Sequence, residues 1–163
     1  MTTICQRLLL RLRLVKALPR LALRRRAARL RAMMFIQTRV RPSAIHGLGL
    51  FAEEFVPRGT PVWRFVPEWD REFSTAQVAA FPLPAQRHVQ WFAFRDAACD
   101  CWVLGGDGAI FMNHAVQPNT GAPPAAVLPV TTVALRDIAA GEELTCNYFA
   151  FDAAGAQKLS GGA

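Results

Sequence analysis

Three short segments hold most of the residues in this chain that could do chemistry. The first is Ser43-Ala44-Ile45-His46-Gly47-Leu48-Gly49-Leu50-Phe51-Ala52. Its Gly-x-Gly pair alone reads as a tight turn between strands, and glycine also permits a close backbone approach where a Cβ would clash. The second is Phe111-Met112-Asn113-His114-Ala115-Val116-Gln117-Pro118-Asn119-Thr120. Asn113 offers both amide donors and an acceptor, and His114 alone reads as a hydrogen-bonded loop residue. The third runs Ala134-Leu135-Arg136-Asp137-Ile138-Ala139-Ala140-Gly141-Glu142-Glu143-Leu144-Thr145-Cys146-Asn147-Tyr148. Tyr148 is the only tyrosine in the chain; in isolation it would be a core residue with its hydroxyl satisfied. Cys99 and Cys101 supply only two thiols, short of the four ligands of a structural zinc site, so no metal is expected.

The elements that must position these segments are mostly short and β-like. The run Phe35–Arg41 ends at Pro42 and suits a first strand. Leu48–Ala52 and Pro61–Val66 are further strands, separated by the turn-forming Pro57-Arg58-Gly59. Ser74 can cap a short helix through Ala80, and a second helix starts at Pro84 and runs toward Phe94. Trp102-Val103-Leu104 reads as a strand closed by Gly105-Gly106, and PVTTVALRDI as another. Gly141 marks a turn before a last short strand, Leu144-Thr145-Cys146. The expected domain is mainly β with one small helical insertion. It has no βαβ repetition and no G-x-G-x-x-G, which excludes the doubly wound fold.

Taken together, in this order and spacing, the three segments resemble the SET-domain family, and in particular its small bacterial-type members. That family opens with a Gly-x-Gly turn, carries Asn-His-Ser-x-x-Pro-Asn, and ends near Gly-Glu-Glu-Leu-Thr-x-Asp-Tyr. The resemblance covers roughly Met34 to Asp152. It implies a SET-domain fold of short sheets with knot-like C-terminal threading, which gathers Asn113, His114 and Tyr148 around one pocket. It also implies an enzyme, a protein-lysine N-methyltransferase that takes its methyl group from S-adenosylmethionine. The cofactor would sit on one face and the lysine would enter from the other through a narrow channel. Ala115 stands where the family has Ser, and Asn147 where it has Asp; neither change removes a group that the chemistry needs.

By the same resemblance, Gly47 and Gly49 would admit the cofactor's methionine part, with His46 and Leu48 flanking it. Asn113 would meet its polar groups, and His114 would present backbone to the adenine. Tyr148 would orient the lysine amine and the methyl group, as the catalytic residue and as one of the cofactor's contacts. Cys146 stands where relatives often carry a larger aromatic residue, a hint of multiple methylation. Trp91 fits either the substrate channel or ordinary core, as do Phe92 and Phe94, with core the commoner role. Phe149 and Phe151 are candidates for the channel or for covering the adenine.

Charge divides the chain. Residues 1–41 carry twelve Arg or Lys and no acid, whereas residues 42–163 carry seven basic and twelve acidic residues, a net of −5. Residues 1–33 therefore read as a basic Leu/Arg-rich leader, 34–152 as the domain and 153–163 as a short flexible tail. The leader admits three readings: a start that really lies at Met33 or Met34, a helix for anionic membranes or nucleic acid, or a targeting segment. The four cysteines are few and irregularly spaced, and no secretory signal precedes them, so reduced thiols in the cytoplasm are expected. The expected partner is a Lys-bearing protein, and a basic one suits the acidic domain. The alternative is a non-catalytic SET-like module that binds cofactor or protein without turnover.

Overall fold

The structure is a computed structural model that describes residues 33–123 and 131–160. The leader up to residue 32, Cys5 and the first two residues of PVTTVALRDI lie outside the described residues. In chain order the strands are β1 (Thr38–Pro42), β2 (Leu48–Ala52), β3 (Pro61–Arg64) and β4 (Arg71–Ser74). The helices α1 (Thr75–Ala79) and α2 (Leu83–Phe92) follow as the expected insertion. Then come β5 (Phe94–Asp96), β6 (Cys101–Leu104), β7 (Asn113–His114), β8 (Thr120–Gly121), β9 (Thr131–Ala134) and β10 (Glu143–Cys146), and finally α3 (Gly155–Ser160).

The strands form three small sheets with orders β1-β2-β10-β7, β3-β9-β8 and β4-β6-β5. In the first, β1 and β2 make a local antiparallel hairpin, with Pro42 at the end of the edge strand where its missing N–H does no harm. Strand β10 lies between β2, which it meets antiparallel, and β7, which it meets parallel through Thr145↔Asn113 and Cys146↔His114. This placement carries the end of the third segment alongside the Asn113-His114 pair, the crossing on which the site depends. Leu50, Ala52, Val56, Val62, Met112, Ile138 and Leu144 fill the core beneath it. A second cluster of Val78, Val89, Ala93, Trp102 and Ala154 packs the helical insertion onto β6 and the chain's end.

Ser74 caps α1 as its sequence suggests. Its hydroxyl accepts from Gln77 N–H at 3.1 Å, and the Gln77 side chain accepts from Ser74 N–H at 2.8 Å, a full capping box. Helix α2 stops at Phe92, earlier than expected, because Phe94 begins β5 and pairs with Val103. Within the expected tail, Gly155–Ser160 is helical, with Ala154 and Gly155 buried and Lys158 paired to Asp152. One expectation is corrected. Cys99 and Cys101 are joined in a disulfide instead of standing reduced. The turn before β6 carries Asp100 at φ +50° and leaves the two Cα atoms 5.3 Å apart, within bridging reach. Cys146 is a free, buried thiol.

Candidate active site

The loop from β1 to β2 is closed by Ser43 N–H donating to Gly47 C=O at 3.0 Å. Ser43 Oγ accepts from Ile45 N–H at 2.9 Å and donates to the Glu143 carboxylate at 2.8 Å. Gly47 has φ +47°, a conformation natural to glycine, and a Cβ there would meet nothing within 4 Å. At Gly49 the reverse holds. A Cβ would land on the Glu143 carboxylate and lie 3.0 Å from Ser43 Cβ. The bare face of Gly49 thus receives Glu143, which corrects the expectation that it lies open to a cofactor.

Asn113 is buried in β7. Its Nδ2 donates to Glu143 Oε1 at 2.8 Å and to the His46 and Leu48 carbonyls at 3.1 Å each. Two hydrogens are shared among three acceptors, so its amide donors hold the glycine turn and are not left free for a ligand. His114 Nδ1 accepts from Tyr148 N–H at 3.2 Å, and the two rings lie 5.5 Å apart. The Tyr148 hydroxyl donates to the Met112 carbonyl at 2.8 Å. Burial, with help from the nearby Cys146 and Asp152, pushes the phenol well above its ordinary value. Tyr148 is therefore a neutral phenol whose proton is committed, and it offers only lone pairs to its surroundings.

These residues meet in one cleft of about 500 Å³. It is lined by Ile45, His46, Gly47 and Leu48 from the glycine turn, by Ile110, Phe111, Asn113, His114 and Tyr148, and by Trp91, Phe92, Lys158 and Leu159 from α2 and α3. Its size lies within the few hundred to about 1,000 Å³ usual for small-molecule sites. A neighbouring cleft of about 520 Å³ runs between α2 and α3 and shares Trp91, Phe92 and Lys158 with the first.

A SET-domain family model matches residues 47–149, more than half of the chain. The chain belongs to the SET-domain family. It is 27% identical over 113 residues to the protein named "Putative histone-lysine N-methyltransferase 1" of Plasmodium falciparum, a match taking in 67% of this chain and 2% of that protein. Among solved structures, Chaetomium thermophilum Polycomb Repressive Complex 2 bound to GSK126 is similar with TM-score 0.57 and 22% identity. That likeness covers 77% of this chain and 17% of the other. A humanized mutant of the same complex bound to that inhibitor gives TM-score 0.54 and 23% identity over 72% of this chain and 15% of that one. At such identities these likenesses show the SET fold alone.

Within this SET domain the cleft unites His46, Gly47, Leu48, Asn113, His114, Tyr148 and Trp91. Trp91 is 43% exposed, so it is not core. Cys146, Phe149 and Phe151 are not among the lining residues. Cys146 is buried behind the cleft with Sγ 3.9 Å from the Met112 carbonyl, and burial pushes its thiol up to about 12, which leaves it neutral. Phe149 turns outward with its edge on His114, and Phe151 packs edge-on against Phe94 at 5.2 Å. Sequence reasoning missed Ser43, Glu143, the Met112 carbonyl and Lys158. The Glu142-Glu143 pair held a usable signal, because neighbours at a strand start point to opposite sides. Glu142 accordingly leaves the site to accept from Arg136 at 2.5 Å, which with help from Ala139 N–H and Asn119 holds its carboxyl at about 2. Glu143 turns toward Asn113.

Proposed function

We propose that this SET domain transfers a methyl group from S-adenosylmethionine to the side-chain amine of a protein lysine. The observation that carries the reading is the single cleft in which the Gly47 turn, clamped by Asn113, faces a neutral Tyr148 hydroxyl anchored on the Met112 carbonyl. The residues present fit such a cofactor: the volume suffices, and the space beside Gly47 is one that a Cβ would enter. When bound, the cofactor supplies an electrophilic methyl group on a sulfonium. His46, Gly47 and Leu48 would hold it against β7.

The chain's own task is to deliver a neutral amine in line with that methyl group. A free lysine, with pKa near 10.4, is neutral only about once in a thousand molecules at physiological pH, a cost of about 4 kcal/mol. Apolar walls such as Ile110, Phe111, Trp91 and Phe92 disfavour the ammonium and lower that cost. Tyr148 cannot serve as base, because its proton is held by both burial and Met112. Its lone pairs can instead accept an amine N–H and turn the nitrogen's own lone pair toward the methyl group. The surplus of acids over residues 42–163 favours a basic lysine-bearing substrate.

The test incubates the full chain with methyl-labelled S-adenosylmethionine and an extract of basic proteins. Label should appear on lysines. Tyr148→Phe should cut transfer tenfold or more while cofactor binding by calorimetry stays near wild type. Asn113→Ala, which frees the glycine turn, should weaken cofactor binding itself. Cofactor binding with no transfer to any lysine would replace the enzyme reading with that of a binding module.

A further inference from the structure

We propose that Asp152 and Lys158 form a clasp that fixes α3 as a wall beside Tyr148, and that this pair positions the lysine-facing side of the site. The proposal rests on the methyl-transfer reading above. Lys158 Nζ lies 2.6 Å from Asp152 Oδ2 and donates to the Ala93 carbonyl at 2.5 Å, with the two side chains only 13% and 1% exposed. The other oxygen, Asp152 Oδ1, accepts from Arg95 N–H and Ala154 N–H at 2.9 Å each. Asp152 N–H donates to the Tyr148 carbonyl at 2.8 Å, and Ala153 N–H to the Arg95 carbonyl at 2.9 Å. Asp152, through its carboxylate and its backbone N–H, joins strand β5, the turn that carries Tyr148 and α3, and Lys158 adds the end of α2.

Several observations give this knot a role in the site beyond fastening. Helix α3 has six residues, too few to persist without an anchor. Its first residue, Gly155, sits so near Tyr148 that a Cβ would lie 3.1 Å from Tyr148 Cβ. Lys158 Nζ stands 5.9 Å from the centre of the Tyr148 ring, and Lys158 lines both clefts. Lys158 is one of two lysines in a chain otherwise served by arginine. Its ammonium places donors on both Ala93 O and Asp152 Oδ2, a pairing that another cation can reproduce in part and a neutral stem cannot. Apolar side chains could hold a helix at less desolvation cost than a buried ion pair. A pair that instead fixes direction, set against the one tyrosine, is a positioning device.

The test uses the full chain and three variants. Lys158→Met keeps the stem, Asp152→Asn with Lys158→Met leaves neither charge buried alone, and Lys158→Arg is the conservative replacement. Labelled S-adenosylmethionine and the basic-protein extract are the probes, with calorimetry for cofactor binding and amide exchange for local order. Lys158→Met and the double variant should bind cofactor within twofold of wild type yet lose tenfold or more in transfer at saturating extract. Exchange should quicken in residues 150–158 and stay unchanged in β2 and β10, and Lys158→Arg should recover part of the lost rate. Transfer within twofold of wild type in the double variant overturns the proposal. So does a parallel loss of cofactor binding with faster exchange throughout, which would mark a purely structural pair. Should wild type bind cofactor but transfer to no lysine, the methyl-transfer reading fails by itself. The clasp then stands on quickened exchange at 150–158 and falls if exchange is unchanged.

Discussion

At Glu143, one carboxylate accepts from Ser43 Oγ and Asn113 Nδ2 while filling the space left by the missing Cβ of Gly49. Hydrogen bonds to a charged acceptor contribute about 1.5–3 kcal/mol each. Glu143→Gln removes the charge and turns an amide donor toward a serine or asparagine donor. We expect cofactor affinity to fall at least tenfold with the fold retained by circular dichroism; unchanged affinity by calorimetry would dismiss Glu143 as an organiser of the turn. Tyr148, Asn113 and the Gly47 turn were legible beforehand, because their types and order recur as a pattern. Glu143 was not, because its partner Ser43 lies 100 positions away and only the packing of β2 against β10 brings them together.

Among the elements, β2 matched its expected bounds, and α1 began at the residue its capping box indicated. The cap is a local signal, complete within four residues, and sequence reading handles such signals well. Ser74→Ala should cost about 1 kcal/mol of stability, measured by urea unfolding, with methyl transfer left intact because α1 does not line either cleft. Strands β4 and β5 escaped notice. They are short, largely exposed or half-buried, and show no alternation of apolar and polar residues. Helix α3 escaped because Ala-Gln-Lys-Leu, though good helix formers, make too short a run after Gly155 to persist alone, and its order derives from the buried Asp152 some residues earlier. Where an element is held by a distant partner, its own residues say little.

For the whole molecule, a buried thiol and a half-buried phenol set an alkaline limit. Burial raises the Cys146 thiol from an ordinary value near 9 to about 12, and pushes the Tyr148 phenol upward as well. In the folded state both stay protonated, whereas the unfolded chain releases the thiol proton from about pH 9. The unfolded state then binds fewer protons, so stability is fully present below pH 9 and is lost as pH rises toward 12. The thiol contributes about 1.4 kcal/mol per pH unit across that window. Urea unfolding at pH 8, 9 and 10 should show the decline, and Cys146→Ala should flatten it; an identical slope in the variant would refute this assignment. The proposed methyl transfer draws the opposite way, because more lysine is neutral at higher pH. The rate should climb from pH 7 until the fold itself begins to give way.

The position of β10 between β2 and β7 also orders events in time. The β1–β2 hairpin and the β4-β6-β5 sheet join stretches close in sequence and can form as soon as they leave the ribosome. The inner edge of β2 has no such neighbour and stays open until residues 143–146 have been made. An unfinished chain therefore shows a bare strand edge with Leu50 and Ala52 beside it, the kind of surface that chaperones and stray strands engage. Asn113, His114 and Tyr148 come together only when that edge is closed, so a nascent chain that lacks β10 has no assembled cleft with which to act on its neighbours.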